Sequence, residues 1–290
     1  MSFRPDSLEL SESTFIILRD LIHERTGLYY ESRKRDLLAD KVYPRLVDKN
    51  FDSFLDYYYL LKYDPDADGE WKCLMDALSV SETFFWREFD QVRVMIDVLL
   101  PSLIDKYKGG SKSDDWPIFR PIQIWCAACS TGEEPISIAM ALEEAGWFDK
   151  VPINIYGTDA SPRSISKAKE GLYRQYSFRA TPPKIQDKYF DKEGNNWRIK
   201  PSIHKRITWQ VANITCPHEM ANFRNINFIF CRNIFIYFSD QSIQKTVKLL
   251  SERMAESGYL FVSASESLLK FETDFKLVDI RQAFAYQKKR

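Results

Sequence analysis

The sequence predicts an α/β fold in two parts: an all-helical N-terminal domain over 1–79, then an open, largely parallel sheet with helices on both faces over 80–290. Three observations carry this expectation. Residues 8–80 show helical periodicity only. After residue 120, apolar β-branched and aromatic runs alternate with helical stretches, the pattern of a parallel sheet built from crossovers. Between them, Ile122 to Pro135 reads IQIWCAACSTGEEP. An apolar strand there passes through consecutive small residues into the helix-like EEPISIAMALEEA, which is the local design of a ligand cradle.

In chain order, Ser11 or Ser13 caps a first helix whose Phe15, Leu18, Leu21 and Ile22 share a face, and Gly27 stops it. A second helical segment begins near Arg33, and a third is FDSFLDYYYLLK. PDADG (65–69) reads as a turn, followed by a short helix from Trp71 to Leu78. The tyrosines at 57–59 read as packing. A long helix runs from about Glu88 toward Tyr107, with Pro101 bending or splitting it, and GGSKSDD (109–115) reads as a loop. Strands are predicted at 122–126, 153–157, 206–211, 226–231 and 258–263, with helices at 133–145, 162–170 and 239–256. FKLVDI and FAYQKK close the chain as an antiparallel pair over 275–288.

Composition narrows the class. Lys plus Arg equals Asp plus Glu at 41 each, so global charge points neither to nucleic acid nor to an anionic membrane. No apolar run approaches the roughly 18 residues of a membrane span, and MSFRPDSLELSES lacks an apolar signal core. Five cysteines without a stapled framework favour a reducing cytoplasm. Cys126 and Cys129 spell C-x-x-C, but they straddle a strand end without a second ligand pair and read as small packing residues.

The chemistry is legible at the strand ends. Laid on G-x-G-x-x-G, the first turn keeps one glycine, Gly132, and puts Glu133 and Glu134 where phosphates would lie. Carboxylates there repel a pyrophosphate and suit a cofactor with hydroxyls and a positive charge, which S-adenosylmethionine (SAM) has; a methyltransferase follows. Asp159, ending the second strand, is placed to accept ribose hydroxyls. Its alternative role is to cap the helix starting at Pro162, a task Ser161 can do. Asn213 and Ile214 follow the third strand, the amide toward an adenine edge and the isoleucine on its face, although Asn after a strand is also a common turn residue. In FIFCRNIFIYF (228–238), Arg232, Asn233 and Tyr237 replace the D/N-P-P-Y/F motif of a DNA amino-methyltransferase. An arginine and a tyrosine suggest an anionic substrate.

SETFFWRE (81–88), WCAACSTGEEPISIAMAL (125–142), YGTDAS (156–161) and FIFCRNIFIYF (228–238) resemble, in order and spacing, the signature blocks of the bacterial chemotaxis receptor methyltransferases, the CheR family. The resemblance runs from about Leu8 to the C-terminus. It implies a Rossmann-like class I SAM-dependent methyltransferase with an all-helical N-terminal domain and a small inserted β-subdomain near 190–211. The implied reaction is methylation of glutamate carboxylates on the cytoplasmic domain of methyl-accepting chemotaxis receptors, giving methyl esters for sensory adaptation and S-adenosylhomocysteine as product, without a metal. By position, Thr83 and Arg87 match contacts to the methionine end of the cofactor. Ala127 and Glu133 match the cradle, with Glu133 facing the SAM amino group. Asp159 matches the ribose acid, Asn213 and Ile214 the adenine contacts, Arg232 and Asn233 a pair beside the cofactor, and Tyr237 a tyrosine near the reacting methyl. Ser81 stands where the family usually has Asn, so its hydroxyl keeps one cofactor contact and loses another. Arg87 and Tyr237 are the expected catalytic residues. The competing role for Arg87 is a salt bridge to Glu82 or Glu88.

Two regions bear on the partner. Lys34, Lys41, Arg45 and Lys49 fall in one arc if the second helix is continuous; the resemblance makes this arc a receptor-binding face, while Pro44 argues for a kink or a new helix. NNWRIKPSIHKRITWQV (195–211) reads as a short hairpin, with His204 a packing residue. This stretch is short, and independence of a receptor C-terminal pentapeptide tether is expected. The remaining expectations are a cytoplasmic monomer with no nucleic-acid partner and no membrane insertion. The rival functions are a SAM-binding signalling module and a methyltransferase of the same fold acting on another protein.

Overall fold

The computed structural model describes residues 8–109, 120–281 and 283–289; beyond Gly109, the loop expected over 109–115 lies outside them. The Ser11 hydroxyl accepts the Thr14 amide and starts α1 (Glu12–Thr26), which buries Phe15, Leu18 and Ile22 and ends at Gly27. After a 3₁₀ turn (Ser32–Lys34), α2 (Arg35–Asp48) continues through Pro44 instead of breaking there. Pro44 is exposed, so its ring projects from the solvent side of the helix and is accommodated there without a break. Ser53 caps α3 (Phe54–Tyr63), and α4 (Ala67–Leu78) begins within PDADG, so that turn is shorter than expected. These four helices close on one core that includes Phe15, Leu38, Leu46, Tyr57, Trp71 and Leu74.

The connecting helix is split where Pro101 demands it. α5 (Phe89–Val94) widens into a π-helical turn (Met95–Leu99) before α6 (Leu100–Gly109). The wider turn accommodates a ring that has no N–H and would clash with the carbonyl four residues earlier.

The rest alternates: β1 (Ile122–Ala127), α7 (Glu133–Glu144), β2 (Ile153–Asp159), α8 (Pro162–Glu170), β3 (Leu172–Arg174), α9 (Pro183–Tyr189), β4 (Phe190–Glu193), β5 (Asn196–Ile199), α10 (Pro201–His204), β6 (Ile207–Val211), β7 (Ile226–Phe230), α11 (Asp240–Arg253), β8 (Met254–Phe261), β9 (Phe275–Ile280) and β10 (Ala283–Lys288). The main sheet runs β6-β2-β1-β7-β8-β10-β9, parallel except for β10, which is antiparallel to both neighbours. α11 stops three residues short of its expected end because Met254 already pairs with Ile226. β1 and β7 are buried on both faces, as a central parallel strand requires.

The small sheet differs from the expected hairpin over 195–211. It is three-stranded, in order β3-β5-β4, and its hairpin turns at Gly194, where φ is 61°. Glu193 pairs with Asn196 across that turn, and a two-residue loop with Gly first suits the strand twist. Pro201 then starts a helical turn that breaks any longer hairpin. Ile207–Val211 instead adds to the edge of the main sheet beside β2. His204 packs as expected, with its Nε2 2.8 Å from the Ala168 carbonyl.

Candidate active site

In an open α/β sheet the crevice lies at the carboxyl ends of the strands where the order reverses, here between β1 and β7. The turn after β1 is tight. Ala128, Ser130 and Gly132 have φ of 62°, 50° and 93°, and a Cβ on Gly132 would lie 2.7 Å from the Trp209 ring, so only glycine fits. Left-handed backbone at two non-glycine residues is strain of the kind that collects at binding sites.

A cavity opens above this turn and is lined by both domains. From the sheet side come Ala128, Cys129, Ser130, Glu134, Asp159, Asn213, Ile214, Arg232, Asn233 and Tyr237; Thr83 and Arg87 line it from the segment before α5. From the helical side come Tyr30, Lys34, Leu37, Lys41, Met75 and Leu78. Eight of the eleven expected cofactor or catalytic residues therefore meet in one space. Ser81, Ala127 and Glu133 are not among the lining residues. Ser81 is exposed, and Ala127 is packed in the core.

Glu133 is turned away from the cavity. It is 2% exposed and accepts the Thr131 hydroxyl at 2.7 Å and the Ser177 hydroxyl at 3.1 Å. Burial pushes its pKa up, partly offset by those hydroxyls. Its neighbour Glu134 lines the cavity instead and accepts Arg232 Nε at 2.6 Å. Arg232 also donates to the Glu88 carbonyl and the Gln91 side chain. The guanidinium is thus committed to groups of the protein, which corrects the expectation that it offers its fork to an anionic substrate.

Asp159 accepts the Ser161 amide on one oxygen and the Ser130 amide on the other, both at 2.9 Å. Burial raises its pKa, the two amides pull it back, and Asp76 adds to the rise. Ser161 caps α8, so Asp159 is not needed for that task. Ser130 Oγ is buried with no hydrogen-bond partner among the described residues. An orphaned hydroxyl beside a half-buried carboxylate fits a ligand rich in hydroxyls. Asn213 lines the cavity, but its side chain is occupied: Nδ2 donates to the Arg25 carbonyl at 2.9 Å and Oδ1 closes a turn on Thr215. The Asn213 backbone is engaged too, its amide donating to Glu219 at 2.8 Å and its carbonyl accepting the Cys216 amide at 3.0 Å. That leaves Ile214 to face a base, a correction to the expected amide contact.

Arg87 makes no salt bridge to Glu82 or Glu88. Its guanidinium donates to the Glu82 backbone carbonyl at 3.1 Å and lies 5.5 Å from the Phe84 ring. The Glu88 carboxylate instead accepts the Ser263 hydroxyl, and the Glu82 carboxylate pairs with Arg179 at 3.7 Å. Tyr237 stands in a 3₁₀ turn after β7, its carbonyl accepting the Tyr29 amide at 2.9 Å. Burial raises the Tyr237 pKa, and the Arg87 charge opposes the rise. Sequence reasoning missed Glu266. Buried near the start of the segment after β8, it accepts the amides of Asn233, Phe235, Ile236 and Ser263 and so fixes the loop that carries Asn233 and Tyr237.

The expected basic arc is largely internal. Arg45 donates twice to Glu70 at 2.8 Å, Lys49 lies 3.4 Å from the same carboxylate, and Lys41 donates to the carbonyls of Leu78 and Ala77 at 2.8 and 3.4 Å. Lys34 sits in the turn before α2. The four therefore do not form one free cationic face. Cys126 and Cys129 are buried free thiols whose pKa values burial raises. Among the described residues, no group of His, Cys, Asp and Glu is arranged to hold a metal ion, and no helix is long and apolar enough to cross a membrane.

The seven-stranded order with its antiparallel β10 and the switch-point cavity define a Rossmann-like methyltransferase. Residues 81–284 match the SAM binding domain of the CheR methyltransferases, and residues 13–79 match their all-alpha domain; the chain belongs to the CheR methyltransferase family and uses SAM. It is similar to chemotaxis protein methyltransferase 2 of Vibrio cholerae (27% identity, 98% of this chain and 95% of that protein). It is also similar to chemotaxis protein methyltransferase 1 of Pseudomonas aeruginosa (26% identity, 97% and 100%), and to the chemotaxis protein methyltransferase of Escherichia coli K12 (26% identity, 94% and 90%).

Proposed function

We propose that the protein methylates glutamate side chains on the cytoplasmic domain of methyl-accepting chemotaxis receptors, acting in the cytoplasm as a monomer. The carrying observation is one cavity lined jointly by the cradle and by the helical domain. A small-molecule enzyme has no need for a second domain at the mouth of its site.

Asp159 and Ser130 hold the ribose, and Ile214 flanks the adenine. Thr83 and Arg87 hold the methionine end, with Arg87 free to pair with a carboxylate because no described acid claims it. Glu134 replaces Glu133 as the acid of the first turn that faces the cofactor. When bound, SAM supplies a methyl activated by a positive sulfur, which a glutamate side chain, ionised at neutral pH with its ordinary pKa of about 4.3, can accept without a general base. The protein's task is therefore alignment, which alone contributes several kcal/mol. Arg87 attracts the substrate carboxylate by charge, and Tyr237 orients it through its hydroxyl. Substrate recognition by charge narrows to Lys34 and Lys41, which line the cavity, since Arg45 and Lys49 are already paired to Glu70.

Independence of a pentapeptide tether is supported by the small sheet. Of its two edges, β3 and β4, the one at β4 exposes Asp191, Lys192 and Glu193, and charged edges resist added strands.

The test is incubation of the protein with methyl-labelled SAM and membranes carrying the host's chemoreceptors, followed by mild alkali. Label that leaves the receptor as volatile methanol is the expected result. Label that withstands alkali would mean an N- or S-methyl product and overturn the reading.

A further inference from the structure

One carboxylate of the helical domain reaches the turn that follows Asp159 and Ala160, two residues of the cavity lining. Asp76, half-buried near the end of α4, uses a single oxygen, Oδ1, to accept the Ser161 hydroxyl at 2.5 Å and the Arg163 amide at 3.0 Å. Ser161 Oγ accepts the Ser164 amide at 3.0 Å, and the Ser161 amide donates to Asp159 Oδ1 at 2.9 Å. The first turn of α8 is thus capped by two domains at once.

A serine hydroxyl has one proton, free to rotate. Donating it to Asp76 fixes the direction of the lone pairs that meet the Ser164 amide. Asp76 satisfies a second orphan amide of the same helix start, so its loss would unpin residues 161–163 together. Asp159 would then keep only its anchor to the Ser130 amide. The end of α4 is itself held, because Lys41 donates to the carbonyls of Ala77 and Leu78. A rigid path therefore runs from the helical domain to the carboxylate at the ribose end of the cavity.

We propose that Asp76 is a positioning residue for cofactor binding, holding the 159–161 turn so that the Asp159 carboxylate faces the ribose hydroxyls. The proposal rests on the ribose role given to Asp159 above, and the test is built to separate the two. Binding of S-adenosylhomocysteine, and of an analogue lacking both ribose hydroxyls, is measured by calorimetry on the wild type and on Asp76→Ala, Asp76→Asn, Ser161→Ala and Asp159→Asn.

Asp76→Ala is expected to weaken S-adenosylhomocysteine by about tenfold, the loss of roughly one net hydrogen-bonding interaction. Asp76→Asn should stay within about twofold of wild type, because one carboxamide oxygen can accept both bonds. The analogue should bind wild type and Asp76→Ala alike, since it offers Asp159 no hydroxyl. In turnover, KM for SAM rises while kcat at saturating SAM holds. Should Asp76→Ala not fold, Ser161→Ala carries the same test with the same selectivity for the ribose hydroxyls.

Unchanged S-adenosylhomocysteine affinity in the folded variants overturns the proposal. So does equal weakening of both ligands, which is what a merely structural role would produce. If Asp159→Asn weakens S-adenosylhomocysteine and Asp76→Ala does not, only the positioning role falls. If Asp159→Asn binds normally, the ribose reading falls and the positioning role falls with it.

Discussion

Replacing Arg45 by Met should cost stability and leave receptor recognition intact. Glu70 is 3% exposed and Arg45 16% exposed at the side chain. The carboxylate accepts two guanidinium bonds at 2.8 Å and the Tyr57 hydroxyl at 2.7 Å. Met keeps the apolar stem that packs against the helices but strands a buried charge. Breaking one partner of a buried pair typically costs ~3–5 kcal/mol. Because Glu70 retains Tyr57 and Lys49, the low end applies, and ~3 kcal/mol in a chain of this size lowers Tm by roughly 6–10 °C. The pH dependence provides a second check. Burial pushes Glu70 up, but Arg45 and Tyr57 outweigh it and hold the carboxyl below its ordinary value. In the wild type this contribution is therefore fully present above the unfolded pKa near 4.3 and is lost as pH falls through the lower folded value. Without Arg45, burial dominates, so the gap between variant and wild type should shrink as acid neutralises Glu70. Urea unfolding of the whole protein at neutral and acid pH measures both effects, alongside KM for receptor membranes. Undiminished stability together with a tenfold rise in receptor KM would refute the internal role and restore Arg45 to the docking face.

Arg87→Ala should lower turnover by about a hundredfold or more, the scale of removing one charge-stabilising donor from an active site; near-normal turnover would remove Arg87 from the chemistry. Affinity for S-adenosylhomocysteine should be full above the raised pKa of Asp159 and fall as pH drops through it, at a higher pH than for an ordinary aspartate near 3.9. Asp76→Asn, which removes a neighbouring negative charge, should move that loss to lower pH in calorimetric titrations. A receptor C-terminal pentapeptide should show no calorimetric binding, and a Kd in the micromolar range would show that the small sheet captures a tether despite its charged edge.

Much of the fold was legible because the determining signals are local. Ser11, Ser53, Ser161 and Ser239 cap their helices with their own hydroxyls, and the runs at 122–127 and 226–230 are apolar because both faces of those strands are covered. The errors lie where the outcome depends on something distant in sequence. Nothing local tells that Ile207–Val211 joins β2 rather than pairing back on 195–199. Nothing on the second helix tells that Glu70, 25 residues beyond Arg45, takes its charge.

The same reasoning explains the choice between two adjacent acids. Motif position favours Glu133 for the cradle, but the orientation of each is set by partners far along the chain. Ser177 on the inserted segment draws Glu133 inward, while Arg232 at the end of β7 holds Glu134 beside the cavity. Glu266 secures the loop after β7 from the far side. Asp76 secures the turn after β2 from the helical domain. A turn whose backbone is strained at Ala128 and Ser130 keeps its shape only when its neighbours are fixed, and those neighbours include both domains. The helical domain is therefore part of the site's architecture as well as its mouth, so changes on α4 should register in cofactor affinity as well as in substrate choice.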